Sequence, residues 1–140
     1  MIKLSAAAAL ALLASTGAFA QERPARSEVQ PAQLVSSLPV EGMPVNSVYR
    51  QNVYDPSDQK IGEVTDLLVD RNGRITTAIV AVGGFLGIGE KDVAVPYSAI
   101  SQTMKDNKTY LVMNTTKDAL KGAAGFKFDK NANRWVPDVR

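Results

Sequence analysis

The chain contains no cysteine and no histidine. The first absence rules out a disulfide framework. Together they remove the ligands that structural zinc sites use almost without exception. They also exclude catalytic dyads and triads built on Cys or His. Charge of neither sign dominates, with 16 Lys and Arg against 14 Asp and Glu. That balance offers no electrostatic footprint for nucleic acid. Beyond residue 20 no apolar run approaches the roughly 18 residues a spanning helix needs, so the mature chain is not expected to cross a membrane.

What is present begins with an address. Met1-Ile2-Lys3 supplies one positive charge, Leu4 to Ala14 is apolar, and Ala18-Phe19-Ala20 has a small-x-small pattern. This order predicts a cleavable secretory signal peptide over residues 1–20. The alternative, a retained anchor, fits less well because the apolar run is too short to span a bilayer comfortably. Export places the protein in the periplasm, with full secretion the other outcome. Residues 21–47 hold Pro24, Pro31, Pro39 and Pro44 among Gln, Ser, Ala and Glu, which predicts a flexible leader. The remaining length suits one small domain over residues 48–122 and a tail over 123–140.

Alternation and turn chemistry predict the strands. Val48 to Tyr54 reads as a strand, closed by a turn at Asp55-Pro56-Ser57-Asp58-Gln59-Lys60. Ile61 to Asp70 reads as the second, with Val64, Asp66 and Leu68 on one face. Glu63 falls on the other face if the strand is regular. Asn72-Gly73 suits a type I′ hairpin turn. Ile75 to Val82 is apolar on both faces, which predicts a strand covered on both sides, as in a closed small barrel. Asp92 to Val95 is a fourth strand, ended by Pro96. Tyr97 to Ile100 is a short helical turn, Asp106-Asn107-Lys108 a polar turn, and Tyr110 to Asn114 a fifth strand. Thr115 or Thr116 caps a short helix, Lys117 to Lys121, stopped at Gly122. Phe126, Phe128 and Trp135 alternate around Asp129 to Asn133, which predicts a loose hairpin laid over the barrel.

Several strings carry a resemblance. They are Val53-Tyr54-Asp55, Ile61-Gly62-Glu63-Val64-x-Asp66-Leu67-Leu68-Val69-Asp70 and Asn72-Gly73. They continue through Gly83-Gly84-Phe85-Leu86-Gly87-Ile88-Gly89-Glu90-Lys91-Asp92-Val93-Ala94-Val95-Pro96 and end with Thr116-Lys117-Asp118-Ala119-Leu120. This region, Val48 to about Leu120, resembles the PRC-barrel domain. That family is named from the cytoplasmic part of the photosynthetic reaction-centre H subunit. It also supplies the C-terminal domain of a bacterial ribosome-maturation factor. The resemblance implies an all-β fold: a small, mostly antiparallel β-barrel with a short C-terminal helix. It implies a docking or adaptor module with no shared catalytic motif. Neither specialised role carries over, since one needs an N-terminal membrane helix and the other the cytoplasm and a partner domain.

Candidate sites are few. The glycine stretch 83–89 is not a phosphate loop, because a strand rather than a helix N-terminus follows it. Its apolar residues Phe85, Leu86 and Ile88 either plug the barrel end or form a loop tip that docks a partner. Asp129, Asn131 and Asn133 have the early spacing of a calcium loop, but Arg134 and Arg140 stand where glycine and glutamate are required. Asp66 is expected to bond backbone in a turn or bulge, with Glu63, Asp70, Glu90, Lys91 and Asp92 in water. Phe126, Phe128 and Trp135 are expected to cover the barrel, a partner anchor being the alternative. Two Asn-x-Thr triplets, at Asn107 and Asn114, carry no weight in a chain of bacterial appearance.

The expected protein is therefore a non-enzymatic, exported binding or adaptor module of the bacterial envelope. It needs no catalytic residue, metal or cofactor, and it binds a protein partner or itself through sheet edges and the 85–88 loop. An envelope structural or stress-related protein without a specific partner is the second reading. A small acidic-residue enzyme is the third.

Overall fold

A computed structural model describes residues 31–84 and 89–139. The chain divides into two units, Met1–Leu38 and Pro39–Arg140. Of the first, only residues 31–38 are described, and these hold no helix or strand. The predicted signal peptide lies outside the described residues. Among those residues no helix is long and apolar enough to cross a membrane.

The second unit is all-β with one short helix. Its strands are β1 (Asn52–Tyr54), β2 (Lys60–Val69), β3 (Ile75–Val82), β4 (Lys91–Pro96), β5 (Ile100–Lys105), β6 (Lys108–Met113), β7 (Gly125–Asp129) and β8 (Arg134–Pro137), with helix α1 at Lys117–Gly122. They form one 8-stranded sheet in the order β5-β6-β1-β2-β3-β4-β7-β8. The pairs are antiparallel except β1 with β6, where Val53 and Leu111 run parallel. The sheet is thus mixed. It is also open, with β5 and β8 as its edges, whereas the sequence predicts a closed barrel. The expected strand at Val48–Tyr54 shortens to Asn52–Tyr54, because a 3-10 turn at Val45–Ser47 leads into it. β5, between that expectation's fourth and fifth strands, is an addition.

The core explains the curl of the sheet. Val53 (β1), Ile61 and Val64 (β2), Val80 and Val82 (β3), Val93 (β4), Ile100 (β5), Leu111 (β6) and Leu120 (α1) form one buried cluster. Removing these side chains from water is the main favourable term, and it is available only if the sheet wraps around them. The short helix reaches this core because Thr116 caps it. The Thr116 Oγ1 accepts the Ala119 N–H at 3.1 Å, and Asp118 and Lys121 stand at the ends their charges favour.

β3 is buried on both faces, as its sequence predicts, but two different layers cover it. Ala78, Val80 and Val82 belong to the core cluster, while Ile79, fully buried, does not. The β7–β8 hairpin supplies the second layer. A flat sheet would hold β8 roughly 19 Å from β2, four strands away. Instead the Trp135 indole N–H on β8 donates to Asp66 Oδ2 on β2 at 2.7 Å. The sheet therefore folds back on itself. The hairpin also pairs with β4, Asp92 opposite Phe126, so it extends the sheet as well as lying over it.

A bulge sets the faces of β2. The register with β3 shifts between Val64 and Asp66, leaving Thr65 without an opposite residue. Side-chain facing alternates along a strand, so one extra residue reverses it. Val64 faces the core opposite Val80, whereas Asp66 stands opposite Ile79 on the outer face, with Glu63 opposite Ala81. The regular-strand expectation, Val64 with Asp66 and Glu63 opposed to both, is corrected here. Leu67 returns inward and packs on the core.

Three turns share one device. Asp55 Oδ1 accepts from Ser57 and Gln59 N–H at 2.8 and 2.9 Å. Asp70 Oδ1 accepts from Asn72 and Arg74 N–H at 2.8 and 3.0 Å. Asp129 Oδ1 accepts from Asn131 and Ala132 N–H at 2.9 and 3.2 Å, so that carboxylate holds a hairpin turn. At Asn72-Gly73 only the glycine has positive φ, +80°, and Gly73 N–H bonds Asp70 C=O. This is a type I turn closed by a glycine bulge, because the Asp70 side chain favours that geometry over the expected type I′.

Candidate functional site

The sequence-predicted docking residues Phe85, Leu86 and Ile88 lie outside the described residues. The loop's ends are Gly83, Gly84 and Gly89, all at positive φ between +75° and +81°, a region open to glycine. Near that end the Lys91 Nζ donates to the Lys121 carbonyl at 2.7 Å, closing the C-terminus of α1 onto β4. The predicted carboxylates do not converge on a cleft. Asp70 holds its turn, and Asp66 Oδ1 accepts the Leu67 N–H at 2.8 Å while Oδ2 takes Trp135. Backbone bonding by Asp66 in a bulge is as expected; the indole is not, since nothing local links residues so far apart. Phe128 meets Trp135 edge-on, with centroids 5.7 Å apart, in the covering role assigned to these aromatics. Among the described residues no group of three or more Asp or Glu could hold a metal ion.

Asp92, like Asp70 in its turn and Lys91 on the Lys121 carbonyl, departs from the solvated reading of the charges. It lies on the outer face of β4, paired with Ala81 and Phe126. Burial pushes its carboxyl above the ordinary value, and the Thr65 hydroxyl pulls the other way. An aspartate ionises near pH 4 in the unfolded chain, so the folded state holds this proton more tightly. The ionised form therefore subtracts from stability at neutral pH, and the cost vanishes below about pH 4. Asp92→Asn is expected to raise Tm at neutral pH and to leave it unchanged in acid. A lower Tm for the variant at neutral pH would contradict this assignment.

A second cluster joins two turns. The Asp55–Gln59 turn repeats the hydrogen bonds of the Asp70–Arg74 turn, with Asp58 where the other has Gly73. Asp58 takes φ +62° there, a conformation costly for most residues with a side chain. Its carboxylate accepts the Tyr110 hydroxyl at 2.9 Å and lies 3.3 Å from Lys105 Nζ. Tyr110 stacks on Tyr54 at 4.3 Å, and Lys105 lies over the Tyr110 ring at 4.9 Å. Tyr110, then Lys105, hold Asp58 below the ordinary carboxylate range. Loss of water and the neighbouring Asp58 push the Tyr110 phenol up to about 12. These contacts tie the tip of the β5–β6 hairpin to β1 and its turn.

The edge strand β5 is the surface those contacts position. Asp106 and Asn107, at φ +52° and +60°, form a two-residue type I′ turn, the geometry that suits the twist of a hairpin. The residues flanking such a turn make a hydrogen-bonded pair, and such pairs recur at every second residue. Lys105, Thr103 and Ser101 therefore bond β6, opposite Lys108, Tyr110 and Val112. The backbone groups of Met104, Gln102 and Ile100 face away from the sheet. The Ile100 N–H already serves Tyr97 C=O; among the described residues the other outward groups have no strand beside them. Along this edge Glu41, Met43, Gln102, Thr103, Met104 and Thr109 line a groove of about 320 Å³, with Met43 48% and Met104 70% exposed. Gln102 Nε2 donates to the Tyr97 hydroxyl at 2.9 Å, which holds its side chain along this rim.

This edge went unread in the sequence. Ile100, Gln102 and Met104 alternate with Ser101, Thr103 and Lys105 ahead of Asp106-Asn107, a hairpin signal that was available. The Asp58–Tyr110 bond had no such signal. The profile of the PRC-barrel domain matches residues 41–120. That span takes in β1 to β6 and most of α1. No curated protein matches the chain significantly. With more than half of its length matched and an all-β sheet carrying one short helix, this chain belongs to the PRC-barrel family.

Proposed function

We propose that this chain is a non-enzymatic, exported binding module of the bacterial envelope that takes an extended protein segment along the β5 edge. The PRC-barrel domain is typically a non-catalytic module. The observation that carries the reading is the open side of β5: six residues, no proline, and a charge only at its end, Lys105. Unpaired N–H and C=O groups along such an edge bind an added strand. The β8 edge is a poorer host, since it is four residues long and includes Pro137. Export rests on Lys3, the apolar run to Ala14 and the Ala18-Phe19-Ala20 pattern.

The test is expression of the full chain in a bacterial host, followed by crosslinking in the envelope fraction. The mature N-terminus is expected at Gln21, and crosslinks are expected to map to residues 100–105. Met104→Lys, at an exposed position, is expected to lose them while keeping the same circular dichroism. An uncleaved chain retained in the cytoplasm would overturn export. Crosslinks that ignore Met104→Lys would overturn the edge.

A further inference from the structure

The β5 edge is complementary to itself, and we infer that its occupant is β5 of a second copy of this chain. This rests on the reading of β5 as a docking edge. Only Ile100, Gln102 and Met104 present backbone groups outward, so an added antiparallel strand must bond at those positions. A two-fold axis at Gln102 brings all three positions into bonded pairs, with only the Met104 C=O lacking a strand donor. Gln102 N–H of each copy meets Gln102 C=O of the other, and Met104 N–H meets Ile100 C=O. Ile100 N–H, already bonded to Tyr97, is not required as a donor.

Side chains agree with the same register. On the core-side face Met104 falls opposite Ile100 and Gln102 opposite Gln102, so apolar meets apolar and amide meets amide. On the outer face Ser101 falls opposite Thr103, a pairing of hydroxyls that favours cross-strand contact. Lys105, the only charge on the strand, lies beyond the last bonded pair at each end, and the two lysines are held apart. Shifting the two-fold to Ser101 leaves Met104 without a bonded partner, and shifting it to Thr103 leaves Ile100 without one and sets Lys105 opposite Ser101. The interface is isologous, so it closes at two copies and cannot propagate into a filament.

Because the chain lacks cysteine, engineered thiols test the register directly. In this pairing Ser101 and Thr103 form non-hydrogen-bonded pairs, whose Cα spacing suits a disulfide. The full chain is expected to sediment as a dimer across a dilution series. Ser101→Cys/Thr103→Cys is expected to form a covalent dimer rapidly under mild oxidation, and each single variant slowly if at all. Met104→Lys is expected to weaken dimerisation about tenfold or more, since the ammonium would be buried opposite Ile100.

A chain that stays monomeric at every concentration overturns the inference, as does a dimer that neither responds to Met104→Lys nor crosslinks through the double cysteine. The two readings separate cleanly. A monomer that still loses envelope crosslinks at residues 100–105 on Met104→Lys keeps the docking edge and refutes self-pairing. A monomer without such crosslinks refutes both.

Discussion

Leu111→Ala is expected to lower the unfolding free energy by about 2–5 kcal/mol. Leu111 is 0% exposed and lies in the core cluster with Val53, Val64 and Val80. Truncation removes its transfer energy and leaves a cavity that strands on either side cannot fill by moving. The position also matters for topology. Leu111 pairs with Val53 on one side and Gln102 on the other. The three-residue strand β1 joins the β5–β6 hairpin to the rest of the sheet. Loosening this junction should detach the hairpin before the remaining strands. Urea unfolding followed by circular dichroism should show a lower midpoint with an unchanged slope. Amide exchange should accelerate most in β5 and β6. A change below about 1 kcal/mol would mean that the core does not pass through β6.

Gly62→Ala is the second large effect, expected at about 1–3 kcal/mol or above. Gly62 sits in β2 opposite Val53, where alternation alone would admit any small residue. A Cβ built there lies 2.5 Å from Val80 Cγ1 and 2.8 Å from the Ala81 carbonyl oxygen. The first contact is with a side chain and can be relieved. The second is with backbone inside a hydrogen-bonded strand, so β2 and β3 would have to separate. A double-mutant cycle distinguishes the two. Val80→Ala alone should destabilise by cavity formation, yet cost less when Gly62 is already alanine. Strict additivity would show that the Ala81 carbonyl carries the whole clash.

Edge blocking and core disruption give opposite signatures. Met104→Lys is expected to act on association and to leave the monomer's unfolding midpoint in place, because Met104 contributes little to the core at 70% exposure. Leu111→Ala acts on the midpoint. Asp92→Asn differs from both in its pH profile, since its effect follows one carboxyl whose proton is held more tightly when buried. Trp135, the single tryptophan, reports on the outer layer by fluorescence, as its indole is bonded to Asp66.

The sequence by itself determined the elements whose causes are local. β3 was legible from apolar residues on both faces, β4 from its stop at Pro96, and α1 from the Thr116 cap and Gly122. The turns at Asp55–Lys60 and Asn72-Gly73 were legible as turns from their Asp, Pro, Ser, Asn and Gly residues, whereas the Asp70 carboxylate's hold on the second, and the type I geometry it favours, were not. The family was legible too, because its strings run through those same segments. Only the tertiary structure decided the rest. The parallel pairing of β1 with β6 joins residues distant in sequence, and no propensity encodes a partner. Thr65 became a bulge because Val64 and Leu67 both had to reach the core, which turned Asp66 outward to Trp135. The open edge at β5 follows from which strands find neighbours. Burial and pairing are properties of the whole sheet, whereas propensity, capping and turn chemistry belong to a few consecutive residues.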